Sequence, residues 1–142
     1  MDTRTAFCCK ECGVAFTDFL RPVSENSLRL TIGSAALPAG HFVRLSDAWR
    51  YHDFLTGRSA NEHYQGADRD VIVFESGDYL LHIADVRHVM VANAAFGCCG
   101  YQPRDEINAN CPNGHPLGTV HSDCWAASVF RLSFRHVVLV EV

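Results

Sequence analysis

Apolar and polar residues alternate with a period of two through much of the middle of this chain. Ser27–Ile32 alternates and stops at Gly33, and after the turn signal Pro38-Ala39-Gly40 the string His41–Leu45 resumes the pattern. Short alternating runs bounded by Gly and Pro read as strands with one buried face. Trp49–Leu55, rich in aromatics, is a further strand candidate. Thr56–Asp70 is polar, holds Gly57 and Gly66, and reads as a long exposed loop. Asp70–Glu75 and Tyr79–Ile83 flank Ser76-Gly77-Asp78 and predict a hairpin.

Only one segment changes period. Across Ala84–Ala95, Val86, Val89, Met90 and Ala94 fall on one helical face, which predicts a helix of about three turns. At the C-terminus Phe130, Leu132, Phe134, Val138, Val140 and Val142 line one face of a long strand, or of two collinear ones, interrupted by His136. Arg131, Ser133, Arg135 and Glu141 fall on the opposite face. The simplest reading is a central strand of the core. The sharper one is an edge strand covered by a second copy of the chain, because a long edge must be covered. The fold class expected is α+β: a mainly antiparallel β-sheet with one or two short helices.

A length of 142 residues suits one domain, here 1–142, and 48% apolar with 20% charged residues describes a chain able to form a core. The formal charge of −4 disfavours nucleic acid as a partner. No apolar run reaches the roughly 18 residues that span a bilayer, and Met1–Thr5 leads into cysteines rather than an apolar signal core. A cytoplasmic location without membrane contact is therefore expected, where thiols stay reduced or bind metal.

Seven cysteines and eight histidines do most to set the expected chemistry. Cys8, Cys9 and Cys12 lie near the N-terminus, and Cys98, Cys99, Cys111 and Cys124 lie in the last third. In Cys9-Lys10-Glu11-Cys12-Gly13 two thiolates at C-x-x-C spacing can bind one ion from a tight turn, with backbone N–H groups aimed at the sulfurs. Gly13 is expected to avoid a Cβ clash there. Val14-Ala15-Phe16 reads as the strand leaving the knuckle, and Cys8, out of register, as a packed thiol. The arm before Gly13 shows little apolar pattern of its own, so the metal is expected to fasten it.

A C-x-x-C supplies half a tetrahedral site. Cys111-Pro112-Asn113-Gly114-His115 forms a second candidate turn, giving Cys9, Cys12, Cys111 and His115 as a Cys₃His set. Cys98 or Cys99 with Cys124 would give Cys₄ instead, and Cys98, Cys99, His121 and Cys124 could form a second site. The candidate ligands are thus Cys9, Cys12, Cys99, Cys111, His115 and Cys124, and spacing alone does not partition them. Zinc is the expected ion, since no iron–sulfur spacing is present. A redox pair is disfavoured because Gly13 and β-prone residues follow the C-x-x-C, where a redox motif would open a helix.

The strings Cys9-Lys10-Glu11-Cys12-Gly13, Phe96-Gly97-Cys98-Cys99-Gly100, Cys111-Pro112-Asn113-Gly114-His115 and Ser122-Asp123-Cys124-Trp125 occur in that order. In this the chain resembles a group of small uncharacterised bacterial proteins. The resemblance implies zinc-ribbon-like cysteine usage and no particular activity. A catalytic zinc would need a nearby base, for which His52-Asp53 and Glu62-His63 are the candidates, and neither makes a His-Glu-x-x-His pattern. Arg131 and Arg135 with Arg50, Tyr51 and Phe54 would be a thin nucleic-acid patch. The reading that follows is a structural zinc in an interaction or accessory module, with a protein partner or a second copy. The alternatives are a zinc-dependent hydrolase and a nucleic-acid-binding zinc ribbon.

Overall fold

Thr5-Ala6-Phe7-Cys8-Cys9 combines a β-branched, an aromatic and three small residues, which suits a strand covered on both faces. In the computed structural model, which describes residues 3–28, 34–46, 49–50, 73–91, 107–122 and 128–142, this segment is strand β1 (Thr5–Cys9), and all five residues are buried. The arm that looked unpatterned is thus part of the core. It pairs antiparallel with the last strand, and on its other side Phe16 N–H donates to Phe7 O, while Thr5 and Leu20 exchange two bonds of 2.8 Å.

The remaining strands in chain order are β2 (Arg21–Pro22), β3 (His41–Arg44), β4 (Trp49–Arg50), β5 (Val73–Phe74), β6 (Tyr79–Leu81), β7 (Met90–Val91), β8 (Ala109–Asn110), β9 (Pro116–His121), β10 (Val129–Leu132) and β11 (Val137–Glu141). Seven of them form one sheet in the order β2-β3-β6-β10-β9-β8-β7, antiparallel except for β2 beside β3, while β1–β11 and β4–β5 form two-stranded sheets. Among the described residues the only helical elements are 3₁₀ turns, such as Glu25–Ser27 and Ile83–Asp85. The protein is therefore mainly β, and the helical part of the expected α+β class is not found there.

Cross-strand registers divide the sheet into two faces. Phe42, Leu81, Phe130 and Val120 are successive partners across β3, β6, β10 and β9, and all point into the core shared with Phe7, Phe16 and Val137. Phe7 meets Phe42 and Tyr79 edge-on, each at 5.1 Å between ring centres. The neighbouring row, Val43, Leu80, Arg131 and Thr119, faces the opposite side. There Val43, Leu80 and Val129 pack with Leu37, Leu45 and Phe74. Arg131 lies over the Phe74 ring at 4.7 Å, and His121, fully buried, packs on the same ring.

Three expectations need correction. The helix over Ala84–Ala95 fails across its described part. Ile83–Asp85 is a single 3₁₀ turn capped by His82, Val86 bridges Thr17, His88 has φ +59°, and Met90–Val91 is a strand. β-Branched Val86, Val89 and Val91 all pack on the main core from extended backbone, where branched side chains fit better than in a helix. Second, the turn at Glu75–Asp78 exists, with Gly77 at φ +94° and Asp78 accepting the Glu75 N–H, yet its arms do not pair. β5 joins β4, and β6 joins β3 and β10.

Third, the C-terminal string is two strands in different sheets. A turn over Phe134–His136 separates β10 from β11 and inverts the pattern, so Val137 is buried while Val138 and Val140 are exposed. Arg131 is buried and Arg135 pairs with Glu75, so these two arginines do not form the exposed stripe that a nucleic acid would need. The strand expected over Ser27–Ile32 begins instead with the end of a 3₁₀ turn and its cap Leu28, and residues 29–32 lie outside the described residues. So do most of Trp49–Leu55 and all of the polar loop Thr56–Asp70.

Gly118 sits where β9 approaches β10 most closely. A Cβ there would lie 1.9 Å from the Arg131 carbonyl oxygen. Gly118→Ala is expected to cost about 3 kcal/mol, read as a lower denaturation midpoint in urea at unchanged slope. His121 supplies a pH test. Burial, and after it the Arg131 charge, holds its pKa well below the ordinary value, so below about pH 6.5 the unfolded chain takes up a proton that the folded chain refuses. Stability should fall with acidification by about 1.4 kcal/mol per pH unit from this residue. His121→Gln, compared with wild type in denaturant titrations across that range, should lose this component of the slope.

Candidate metal centre

Two turns of similar build carry the candidate ligands. At the end of β1, Cys9 N–H donates to Val14 O at 2.9 Å and Gly13 N–H donates to Cys9 O at 2.8 Å. Between β8 and β9, Cys111 N–H donates to His115 O at 2.8 Å and Gly114 N–H to Cys111 O at 2.9 Å. Each turn closes through a glycine in the left-handed region, Gly13 at φ +74° and Gly114 at φ +86°. No described atom lies within 4 Å of a Cβ built at either glycine. Gly13 is thus required by the backbone angle and not, as the sequence suggested, by crowding at the sulfurs.

The turns meet. Cys9, Cys12, Cys111 and His115 bring one ligand atom each to within 4.8 Å of one another. Cys12 and Cys111, 99 positions apart, have their sulfurs 3.8 Å from each other, and Cys111 Sγ lies 3.4 Å from His115 Nδ1. A disulfide would need about 2.05 Å. A tetrahedral zinc with bonds of about 2.3 Å to sulfur and 2.0–2.1 Å to nitrogen would set its donors about 3.8 Å apart for two sulfurs and about 3.6 Å for sulfur and nitrogen. The two measured edges fit that figure, and no two of the four ligand atoms lie further apart than such an edge by more than about 1 Å.

Backbone dipoles converge on all three sulfurs. Cys9 receives the N–H groups of Cys12 and Glu11, Cys12 that of Val14, and Cys111 those of His115 and Asn113. Such donors stabilise negative sulfur and fix its direction. Exposed Cys12 responds most: the Val14 N–H, then the Asn113 side chain, bring its pKa down to about 6. Burial pulls the Cys111 thiol upward, but the His115 and Asn113 backbone and the His115 ring outweigh it, so the net shift is down. Cys9, at 0% exposure, is pushed up by burial. His115 is raised by the adjacent Cys12 and Cys111 sulfurs. Sulfurs packed this closely repel one another once ionised, and a divalent cation among them relieves that repulsion.

Of the six candidate ligands, four come together here, while Cys99 and Cys124 lie outside the described residues, as do Cys98 and the His52-Asp53 and Glu62-His63 candidates. His121, considered for a second site, is fully buried against Phe74. Cys8 is a buried thiol on the other face of β1, with its pKa raised by that burial. Asn113 was legible only as a turn former; its contact with Cys12 depends on the two turns meeting. No protein-family model, curated protein or solved structure matches the chain. Of the four motif strings singled out in the sequence, the structure brings two together, Cys9–Gly13 and Cys111–His115.

In metal-free protein Cys12 should be the thiol alkylated first by iodoacetamide, with a rate that rises through a midpoint near pH 6, while buried Cys9 and Cys8 react slowly. Peptide mass mapping of a short labelling pulse across pH would check this order.

Proposed function

We propose that Cys9, Cys12, Cys111 and His115 bind one zinc ion, that the ion is structural, and that the chain serves as an interaction or accessory module rather than an enzyme. The observation that carries the reading is the convergence of four soft or borderline donors, from turns about a hundred residues apart, at near-tetrahedral spacing. Three thiolates and an imidazole suit zinc. Four protein donors fill a tetrahedral shell, which leaves no position for the water that a hydrolytic zinc activates. Two of the donors, Cys9 and Cys111, are also members of the main hydrophobic core, so the ion would be continuous with the packing. A reducing, cytoplasmic setting would keep the thiols available.

A structural zinc contributes on the order of 10 kcal/mol in small domains near neutral pH. Here it would close the loop between Cys12 and Cys111 and hold β1 against the β8–β9 hairpin. Protein purified without chelator should carry one zinc per chain by elemental analysis. Cobalt substitution should give the intense thiolate charge-transfer absorption of a tetrahedral sulfur-rich site. Cys111→Ser should lose the metal and lower the melting temperature by about 10 °C or more. Cys99→Ser and Cys124→Ser should retain the ion; its loss from either would move the site to the Cys₄ partition. Chelation that strips the ion and leaves the melting curve unchanged would refute a structural role.

A further inference from the structure

Among the described residues, strand β11 is bonded on one side only. Lys10 N–H donates to His136 O and Val142 N–H to Arg4 O, which fixes the even-numbered residues of β11 as those bonded to β1. Val137, Leu139 and Glu141 direct their N–H and C=O groups the other way, and none of them finds a hydrogen-bond partner among the described residues. The usual defences of an edge are absent along Val137-Val138-Leu139-Val140: it has no lysine, no proline and no bulge. Of the exposed large apolar side chains, Val138 at 41% and Val140 at 47% lie on this stretch, Val142 at 79% follows the strand, and Phe134 at 40% lies in the turn before it. Beside Val138 and Val140 on β1 stand only the small Cys8 and Ala6, which leave both valines uncovered.

We propose that this edge is the dimer interface of the protein, β11 pairing antiparallel with β11 of a second copy about a two-fold axis at Val138. Charge selects the occupant. Arg135 lies in the turn just before the strand and Glu141 ends it, so an antiparallel copy brings each arginine beside the other copy's glutamate, whereas a parallel copy would align like charges. In that register Val137 stands opposite Leu139, and both belong to the outward-bonding set, so the free N–H and C=O groups of each strand meet those of the other. Val138 stands opposite Val138 in a non-hydrogen-bonded pair, where side chains are closest. The Phe134–His136 turn of each copy then lies toward Val142 of the other. Arg135 also pairs with Glu75, and its five donors are enough for both carboxylates. The result is a continuous four-stranded ribbon, β1–β11–β11–β1, with the apolar rows of the two copies side by side. The pairing uses the edge of β11 that faces away from β1 and involves none of the four metal ligands.

The test is sedimentation velocity on the full metal-loaded chain over a concentration series. Wild type should sediment as a dimer. Val138→Lys should place two ammonium groups against each other at the axis and raise the dissociation constant on the order of a hundredfold. Glu141→Arg should weaken the dimer, and Glu141→Arg with Arg135→Glu should recover it. Amide hydrogen exchange on wild type provides a readout that needs no variant to fold. Leu139 N–H should be protected at high concentration and lose that protection on dilution. A wild-type monomer at every concentration overturns the proposal. So does a dimer indifferent to Val138→Lys, or a Leu139 exchange rate that does not change on dilution.

Discussion

Phe7 stands edge-on to both Phe42 and Tyr79, and this contact joins the β1–β11 ribbon to the seven-stranded sheet. Two residues further along the same face of β1 comes Cys9, at 0% exposure within the same core. A strand rises about 3.3 Å per residue and repeats its facing every second one, so fixing Phe7 fixes where the first sulfur sits. The Cys9–Gly13 turn then hangs from a strand held by ring packing on one face and by backbone bonds along both edges. Metal and core are in this sense one structure: ring packing sets the first ligand, and the ion would hold the turn that the rings do not reach.

How much of this could be read from the residues follows from the range of the forces involved. The knuckles were legible because their requirements are local: two ligands three or four positions apart and a glycine for the left-handed turn. The strands His41–Arg44 and Tyr79–Leu81 were legible because the turn signals Pro38-Ala39-Gly40 and Ser76-Gly77-Asp78 mark where each begins. β1 was not, because a strand buried on both faces has no alternation to detect, and cysteine and alanine carry little hydrophobic signal. The false helix has a related cause. Val86 and Val89 are spaced as on a helix, yet each can reach the same core from extended backbone bent at His88. The inverted face of Val137–Glu141 depends on the turn at Phe134–His136, which shifts the phase by an amount that periodicity alone does not reveal. The pairing of the two knuckles was beyond sequence for a simpler reason: several partitions satisfy the same spacing, and tertiary contact chooses among them.

The second turn reaches the site through a device of three parts on β8 and β9. Register shifts between Ala109 and Asn110, so Ala109 faces Gly118 while Asn110 faces Pro116. The extra residue is Leu117, and the bulge turns it into the same core as Val120, with which it would otherwise be out of phase. Asn108 compensates for the disturbed ladder: its side-chain amide donates to Val120 O at 3.1 Å and accepts from Val120 N–H at 2.8 Å, taking the place of a backbone partner. Gly118 lets β10 pass where any side chain would collide. Because a one-residue change of register exchanges the faces of a strand, this bulge also determines on which side of the sheet the hairpin presents Cys111 and His115. They emerge on the face that carries β1. A regular hairpin of the same length would aim them toward Phe74 and Arg131, away from Cys9 and Cys12. The metal centre thus depends on an irregularity of the sheet as much as on the cysteines themselves.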